Sequence, residues 1–284
     1  MSILIKSPGN LNQETFEGAA TFVADRSELL VVDLRSCIFA DIYAMVTLLT
    51  ITTLRAERLG HPVRLRLPNS RSTTTYLARM RFFQLLPEGV QYDREPPTVT
   101  EFPAHLLELS RLNIQDGERA IDKLCEFVAP QLPVRFREGF VVAVAEIGSN
   151  VIFHSQADIG FTAGQRYERN YRGRLAPRLH LVVGDAGIGI KESLKIGDAE
   201  VGQLTDKEAI AIALQPGTTS KPGVHSGVGL STVREYADTF GGVLRIRSGY
   251  GSVMERQGLI VKRDVPGLPG TIVSVELCSP GRRR

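Results

Sequence analysis

Cysteine is scarce in this chain. Three residues among 284, Cys37, Cys125 and Cys278, stand far apart, and no pair has the CxxC spacing of a zinc or redox motif. Each lies among apolar neighbours, so buried reduced thiols are expected in place of a disulfide framework or a metal cluster. Long hydrophobic runs are missing as well, and no stretch approaches the ~20 apolar residues that a membrane span requires. The opening residues, Met1-Ser2-Ile3-Leu4-Ile5-Lys6, turn polar too soon for a secretory signal, so a cytoplasmic location without a membrane partner is expected. Charge is nearly balanced, with 34 Lys and Arg against 31 Asp and Glu. A net charge of +3 permits anionic ligands and does not by itself argue for nucleic acid. What is present is an ordinary globular composition, 43% hydrophobic and 23% charged, at a length that accommodates two domains.

The most informative stretch is 141–154. Phe136, Phe140, Val144, Ile147 and Val151 recur at three- and four-residue steps, which predicts a helix. Because it is apolar almost all round, this helix is expected to be buried. Glu146, Asn150 and His154 nevertheless succeed one another at four-residue spacing, each displaced about 40° from the last, and form one polar stripe. A buried polar group left unpaired costs roughly 1–3 kcal/mol, so the stripe needs an internal network or a ligand to face.

In the first hundred residues, strand patterns at 3–5, 29–34 and 63–67 alternate with helical patterns at 12–24, 41–60 and 73–86, which indicates an α/β layer. Leu30-Val31-Val32-Asp33-Leu34, succeeded by Ile38-Phe39-Ala40-Asp41-Ile42-Tyr43-Ala44-Met45, is similar to the strand and helix start of STAS domains, the anti-sigma-factor antagonist fold. That family places a phosphorylatable serine or threonine after the aspartate, where this chain has Ile42 and then Tyr43. Ile42 offers no hydroxyl, so the module is expected to dock a partner or the second domain and not to receive phosphate. A charged joint with Pro96, Pro97 and Pro103 marks the boundary. The expected layout is a STAS-like domain at 1–95, a linker at 96–104 and a second domain at 105–284.

The second domain is expected to open with a helix at 114–128, capped by Asp116, and to carry a strand pair at 159–167 and 178–183. Between those strands, Arg166, Arg169, Arg172 and Arg174 mix with Tyr167 and Tyr171, a composition that suits either a solvated turn or nucleic acid. Asp185-Ala186-Gly187-Ile188-Gly189 comes after the second strand. Alternate glycines there allow close backbone approach, and Asp185 is an acceptor suited to an amino group, although the GxGxxG order of a dinucleotide fold is absent. Downstream, Gly217-Thr218-Thr219-Ser220-Lys221 precedes Gly227-Val228-Gly229-Leu230, which opens a helix reaching about Phe240. A glycine-rich turn at a helix start gathers unpaired N–H groups and suits phosphates. Residues 191–226 are mostly polar and read as a mobile cover, with 206–214 the best helical signal. Strands at 243–247 and 270–277 close the chain.

Together these pieces resemble the GHKL superfamily of gyrases, heat-shock chaperones, histidine kinases and MutL proteins, with its Bergerat ATP-binding fold, over residues 100–284. Glu146 and Asn150 match its N-box, 185–189 its first glycine box, 227–230 its second, and Gly270-Thr271 the last. The resemblance implies ATP and Mg²⁺ as ligands. Asn150 would hold the metal, Glu146 would orient or deprotonate the nucleophile, and Asp185 would accept from the adenine amine near Thr271. Gly187 and Gly189 would let the backbone approach the nucleotide closely, while Thr219, Lys221, Gly227, Val228, Gly229 and Leu230 would close over the phosphates. Of that superfamily, the layout is closest to the anti-sigma-factor class of serine/threonine kinases. The leading expectation is therefore a kinase or nucleotide-dependent switch acting on a separate protein partner, STAS-like or another regulator. The alternative is an ATPase that drives homodimerisation or clamping on nucleic acid.

Overall fold

The computed structural model of the protein describes residues 2–16, 29–99, 106–153, 159–171, 174–218 and 229–278. Within them the chain is an α/β fold built on one parallel and one antiparallel sheet. The parallel sheet contains β1 (Ser2–Lys6), β3 (Leu29–Asp33), β5 (Val63–Arg66) and β6 (Gln91–Tyr92), adjacent in that order. A separate short pair joins β2 (Asn10–Leu11) to β4 (Phe39–Ala40).

Helix α1 (Ile42–Thr53) starts at Asp41, whose Oδ1 accepts from the Ala44 N–H at 2.8 Å and whose Oδ2 accepts from the Gln13 N–H at 3.3 Å. Every residue of α1 is buried, Ile42 included. Its threonines tolerate this by returning their hydroxyls to the helix itself: Thr47 donates to the Tyr43 carbonyl, Thr50 to Val46 and Thr52 to Leu48. The helix expected over 41–60 changes pitch at its end, running into a π turn at Leu54–Arg58 and stopping at Gly60, where φ is 65°.

A helix buried all round needs a second wall, and the antiparallel sheet supplies it. That sheet holds β7 (Leu106–Leu112), β8 (Gly160–Tyr171), β9 (Arg174–Asp185), β10 (Val243–Arg256) and β11 (Leu259–Cys278), in the order β10-β11-β9-β8-β7. Strand alternation sends Phe161, Ala163, Val182 and Ile272 into one apolar cluster with α1. Leu181, Val183, Val273 and Val275 join a second cluster with helices α4 (Gly117–Val128), α5 (Val134–Phe153) and α8 (Gly229–Thr239). Gly184 lets the layers approach, since a Cβ there would overlap Ile272 Cδ1 and stand 2.8 Å from Val46 Cγ1.

Several local expectations are corrected by long-range contacts. The helix expected over 73–86 is two, α2 (Arg71–Arg79) and α3 (Phe82–Leu85), parted by Arg81 at φ 61°. The Met80 carbonyl there accepts from the Leu109 N–H of β7. The helix expected from 114 begins at Gly117 with Asp116 at its N-cap position but no cap bond from the Asp116 side chain, and Asn113 Oδ1 accepts from the Gln115 and Asp116 N–H groups just before it. The arginine-rich segment is strand and not loop through Tyr171 and again from Arg174. Arg166 there donates to Gln131 and Tyr167 to Glu276. Through residue 218 the polar segment after 189 is largely helical, with one helix where the 206–214 signal places it. It holds α6 (Gly189–Gly197), a 3₁₀ turn at Ala199–Gln203 and α7 (Asp206–Ala213), around a small core of Leu194, Val201, Ala209 and Ala213. β10 and β11 extend well beyond the expected strands and meet at Gln257-Gly258, both at positive φ, the geometry of a type I′ hairpin turn. The start of the helix expected over 12–24 is described, and residues 17–24 lie outside the described residues. Among the described residues no helix is long and apolar enough to cross a membrane.

The tight meeting of the layers yields a direct expectation. Gly184→Val should lower stability by about 1–3 kcal/mol through overpacking against Ile272 and Val46. Urea denaturation measures this, and an unchanged midpoint would contradict the close approach.

Candidate functional site

α5 forms where the three- and four-residue spacing places it, with Phe140, Val144, Ile147 and Val151 buried. The expectation of burial all round is not met: Val134 is 76% and Val142 55% exposed. The helix is thus one-sided, and Glu146 and Asn150 sit half-buried at its flank. His154 lies outside the described residues.

Glu146 is brought against the second glycine segment. A Cβ added to Gly229 would stand 3.1 Å from the Cβ, Cγ and Cδ atoms of Glu146, so glycine is what lets α8 seat there. Aromatic packing holds that contact: Tyr236 of α8 lies 5.0 Å from the Phe140 ring and 5.9 Å from the Phe136 ring of α5. Gly139 leaves room, since a Cβ there would come within 2.5 Å of the Tyr236 hydroxyl. Leu230 is half-buried and packs against the α5 core.

A second group gathers at the end of β9. Asp185 pairs in register with Gly160 of β8 and Thr271 of β11 and is 5% exposed. Its Oδ1 accepts from the Gly187 N–H at 2.7 Å. Burial pushes the carboxyl up to about 7, against the lowering influence of the Gly187 and Thr271 backbone N–H groups. Ser248 of β10 ties the cluster together. Its hydroxyl donates to the Gly270 carbonyl at 3.0 Å, accepts from the Ile190 N–H at 2.8 Å and lies 3.1 Å from Thr271 Oγ1. Gly189 and Gly270 both have positive φ. A Cβ at Gly189 would stand 2.8 Å from Ser248 Oγ, and one at Gly270 would overlap the Asp185 carbonyl oxygen. Neighbouring protein atoms already require glycine at both positions.

The two groups are linked through Gly160. A Cβ there would overlap Val151 Cγ1, the residue after Asn150, so the last turn of α5 rests on the strand beside Asp185. Glu146, Asn150, Asp185, Gly187, Gly189, Gly229, Leu230 and Thr271 thus belong to adjoining elements. Thr219, Lys221, Gly227 and Val228 lie outside the described residues. Among the described residues no group of three or more His, Cys, Asp or Glu side chains could hold a metal. A cation here would rely on one or two protein oxygens, such as those of Asn150 and Glu146 a turn apart. That is a donor set Mg²⁺ accepts, because it keeps several waters and binds phosphate oxygens.

Two residues of this region carry no local sequence signal. Ser248 stands mid-strand and is revealed only by what packs on it. His180 sits on the opposite face of β9 from Asp185, buried, with Nε2 2.9 Å from Ser274 Oγ. Burial pushes its pKa down to about 4.

These two buried groups tilt stability in opposite directions. The native carboxyl of Asp185 keeps its proton up to about 7, while the unfolded one releases it near 3.8, so its contribution falls as pH rises through that window. His180 stays neutral in the fold down to about 4, while the unfolded ring takes a proton near 6.5, so its contribution is lost as pH falls from 6.5 to 4. Asp185→Asn should therefore raise Tm relative to wild type more at pH 8 than at pH 5. Thermal unfolding at both pH values checks this, and equal differences would contradict the raised pKa.

No protein-family model matches the chain, and no curated protein matches its sequence.

Proposed function

We propose that the chain binds ATP with Mg²⁺ and is a regulatory phosphotransferase acting on a hydroxyl of a separate protein partner. The observation that carries this reading is the seating of the Glu146 side chain on Gly229, on a helix whose last turn packs against Gly160, the strand partner of the buried Asp185. The likeness of 105–284 to GHKL domains supports it through the same residues.

Each residue has a physical task in this reading. A buried carboxylate that has lost water gains from an N–H donor, so ionised Asp185 selects a base with an amino group at that place. The Thr271 and Ser248 hydroxyls, 3.1 Å apart, supply polar groups beside it. Asn150 contributes a neutral oxygen to Mg²⁺, which when bound neutralises phosphate charge and orients the triphosphate. Glu146, one helical turn from Asn150, orients the incoming hydroxyl and takes its proton. Thr219, Lys221, Gly227 and Val228 belong to the proposal as phosphate contacts. Phosphoryl transfer asks mainly for positioning and electrostatics, which suits a site with one carboxylate base and one amide ligand.

Incubation with γ-labelled ATP and proteins recovered by pull-down separates the outcomes. Label on a protein supports a kinase, label released as inorganic phosphate replaces it with an ATPase, and label left on ATP removes catalysis. Glu146→Ala should keep ATP binding and lose turnover by roughly 10²–10⁴-fold. An unaltered rate would take Glu146 out of the chemistry. Asn150→Ala should abolish the thermal stabilisation that ATP and Mg²⁺ give the wild type, and an undiminished shift would refute the metal assignment.

A further inference from the structure

The end of β9 is built from two sides. Gly184 and Ala186 turn towards α1: a Cβ at Gly184 would stand 3.4 Å from Thr50 Oγ1, and Ala186 is buried in the apolar cluster around α1. Asp185, between them, turns to the other face. The π turn that ends α1 also reaches this place. Arg58, its last residue, donates from Nη1 to the Ala186 carbonyl oxygen at 2.7 Å, across 128 positions of sequence. Glu57 of the same turn pairs with Arg111 of β7 at 3.3 Å, so the turn is held to the antiparallel sheet at two points.

The Ala186 carbonyl and the Gly187 N–H are two ends of one planar peptide group. Arg58 donates to its oxygen, and its nitrogen donates to Asp185 Oδ1 at 2.7 Å. A guanidinium on the oxygen polarises the N–H and strengthens its bond to the carboxylate. It also restrains rotation of that plane, which would otherwise carry the N–H away from Asp185. A π turn shifts the register of the residues after it, so this reach depends on the unusual pitch at Leu54–Arg58.

We infer that Arg58 is a positioning residue for Asp185, acting through the 186–187 peptide, and that it couples the first lobe to base recognition in cis. This rests on the reading of Asp185 as the acceptor for the base. Displacement of the π turn by anything that binds the first lobe would rotate the shared peptide and loosen the carboxylate. The nucleotide site would then respond to the first lobe with no contact between that lobe and the nucleotide.

The test compares wild type, Arg58→Ala and Arg58→Lys in the full chain by ATP affinity, turnover at saturating ATP, and amide exchange at Gly187. Arg58→Ala should weaken ATP binding roughly tenfold, the size of one charge-assisted hydrogen bond. Turnover at saturation should stay within about twofold, because the loss is in binding. Gly187 exchange should quicken, and Arg58→Lys should recover most of the affinity by restoring a cationic donor. Unchanged affinity and unchanged Gly187 exchange in Arg58→Ala would overturn the inference. If the wild type binds no ATP, the nucleotide reading fails, and Gly187 exchange alone decides the role of Arg58: faster exchange upholds the link to Asp185, and unchanged exchange removes it.

Discussion

Burial of α1 on every side is the constraint on which the rest of the structure depends. One flank meets the parallel sheet and the other meets Phe161, Ala163, Val182 and Ile272 of the antiparallel sheet. A helix with this much apolar surface cannot stand at a solvent boundary, since each Å² left exposed forfeits about 25 cal/mol. The antiparallel sheet is therefore loaded on both faces, by α1 on one and by α4, α5 and α8 on the other. Its strands alternate residue by residue between two cores. At the end of β9 this alternation sets Asp185 between Gly184 and Ala186, so the carboxylate of the candidate site is placed by the lobe behind it as much as by its own side.

The candidate site obeys the same balance of burial against pairing. A carboxylate taken out of water is unfavourable unless donors are supplied, and here the Gly187 and Thr271 backbone N–H groups supply them while burial still holds the pKa near 7. A group so balanced is poised to gain from one more donor, which is the property that base recognition would use. Glu146 differs: it is half-buried on the flank of α5, against Gly229 of α8. The two carboxyls differ in what surrounds them: Asp185 lies buried at a strand end, and Glu146 lies half-buried beside Gly229.

Much of this was legible in the sequence where the signal was local. The spacing of Phe140, Val144, Ile147 and Val151 is a property of one helix, and α5 forms over it. The run at 29–34 is likewise local, and the strand at Leu29–Asp33 forms over it. What escaped was set by partners distant in sequence. The break at Arg81 accompanies a carbonyl accepting from Leu109, and the positive φ at Gly270 accompanies close packing on the Asp185 backbone. Ser248, His180 and Arg58 look like ordinary strand and helix-end residues until β9, β10 and β11 are laid side by side. Thr219, Lys221, Gly227 and Val228 lie outside the described residues.

In the proposed function, Asp185 reads an amino group on a nucleotide base. Calorimetric titration with ATP and with GTP, each with Mg²⁺ at pH 8 where Asp185 is ionised, tests it most directly. The account predicts that ATP binds and that GTP, which sets a carbonyl against the carboxylate, binds at least ~100-fold more weakly. Equal affinity for the two nucleotides, or no heat from either, would contradict it.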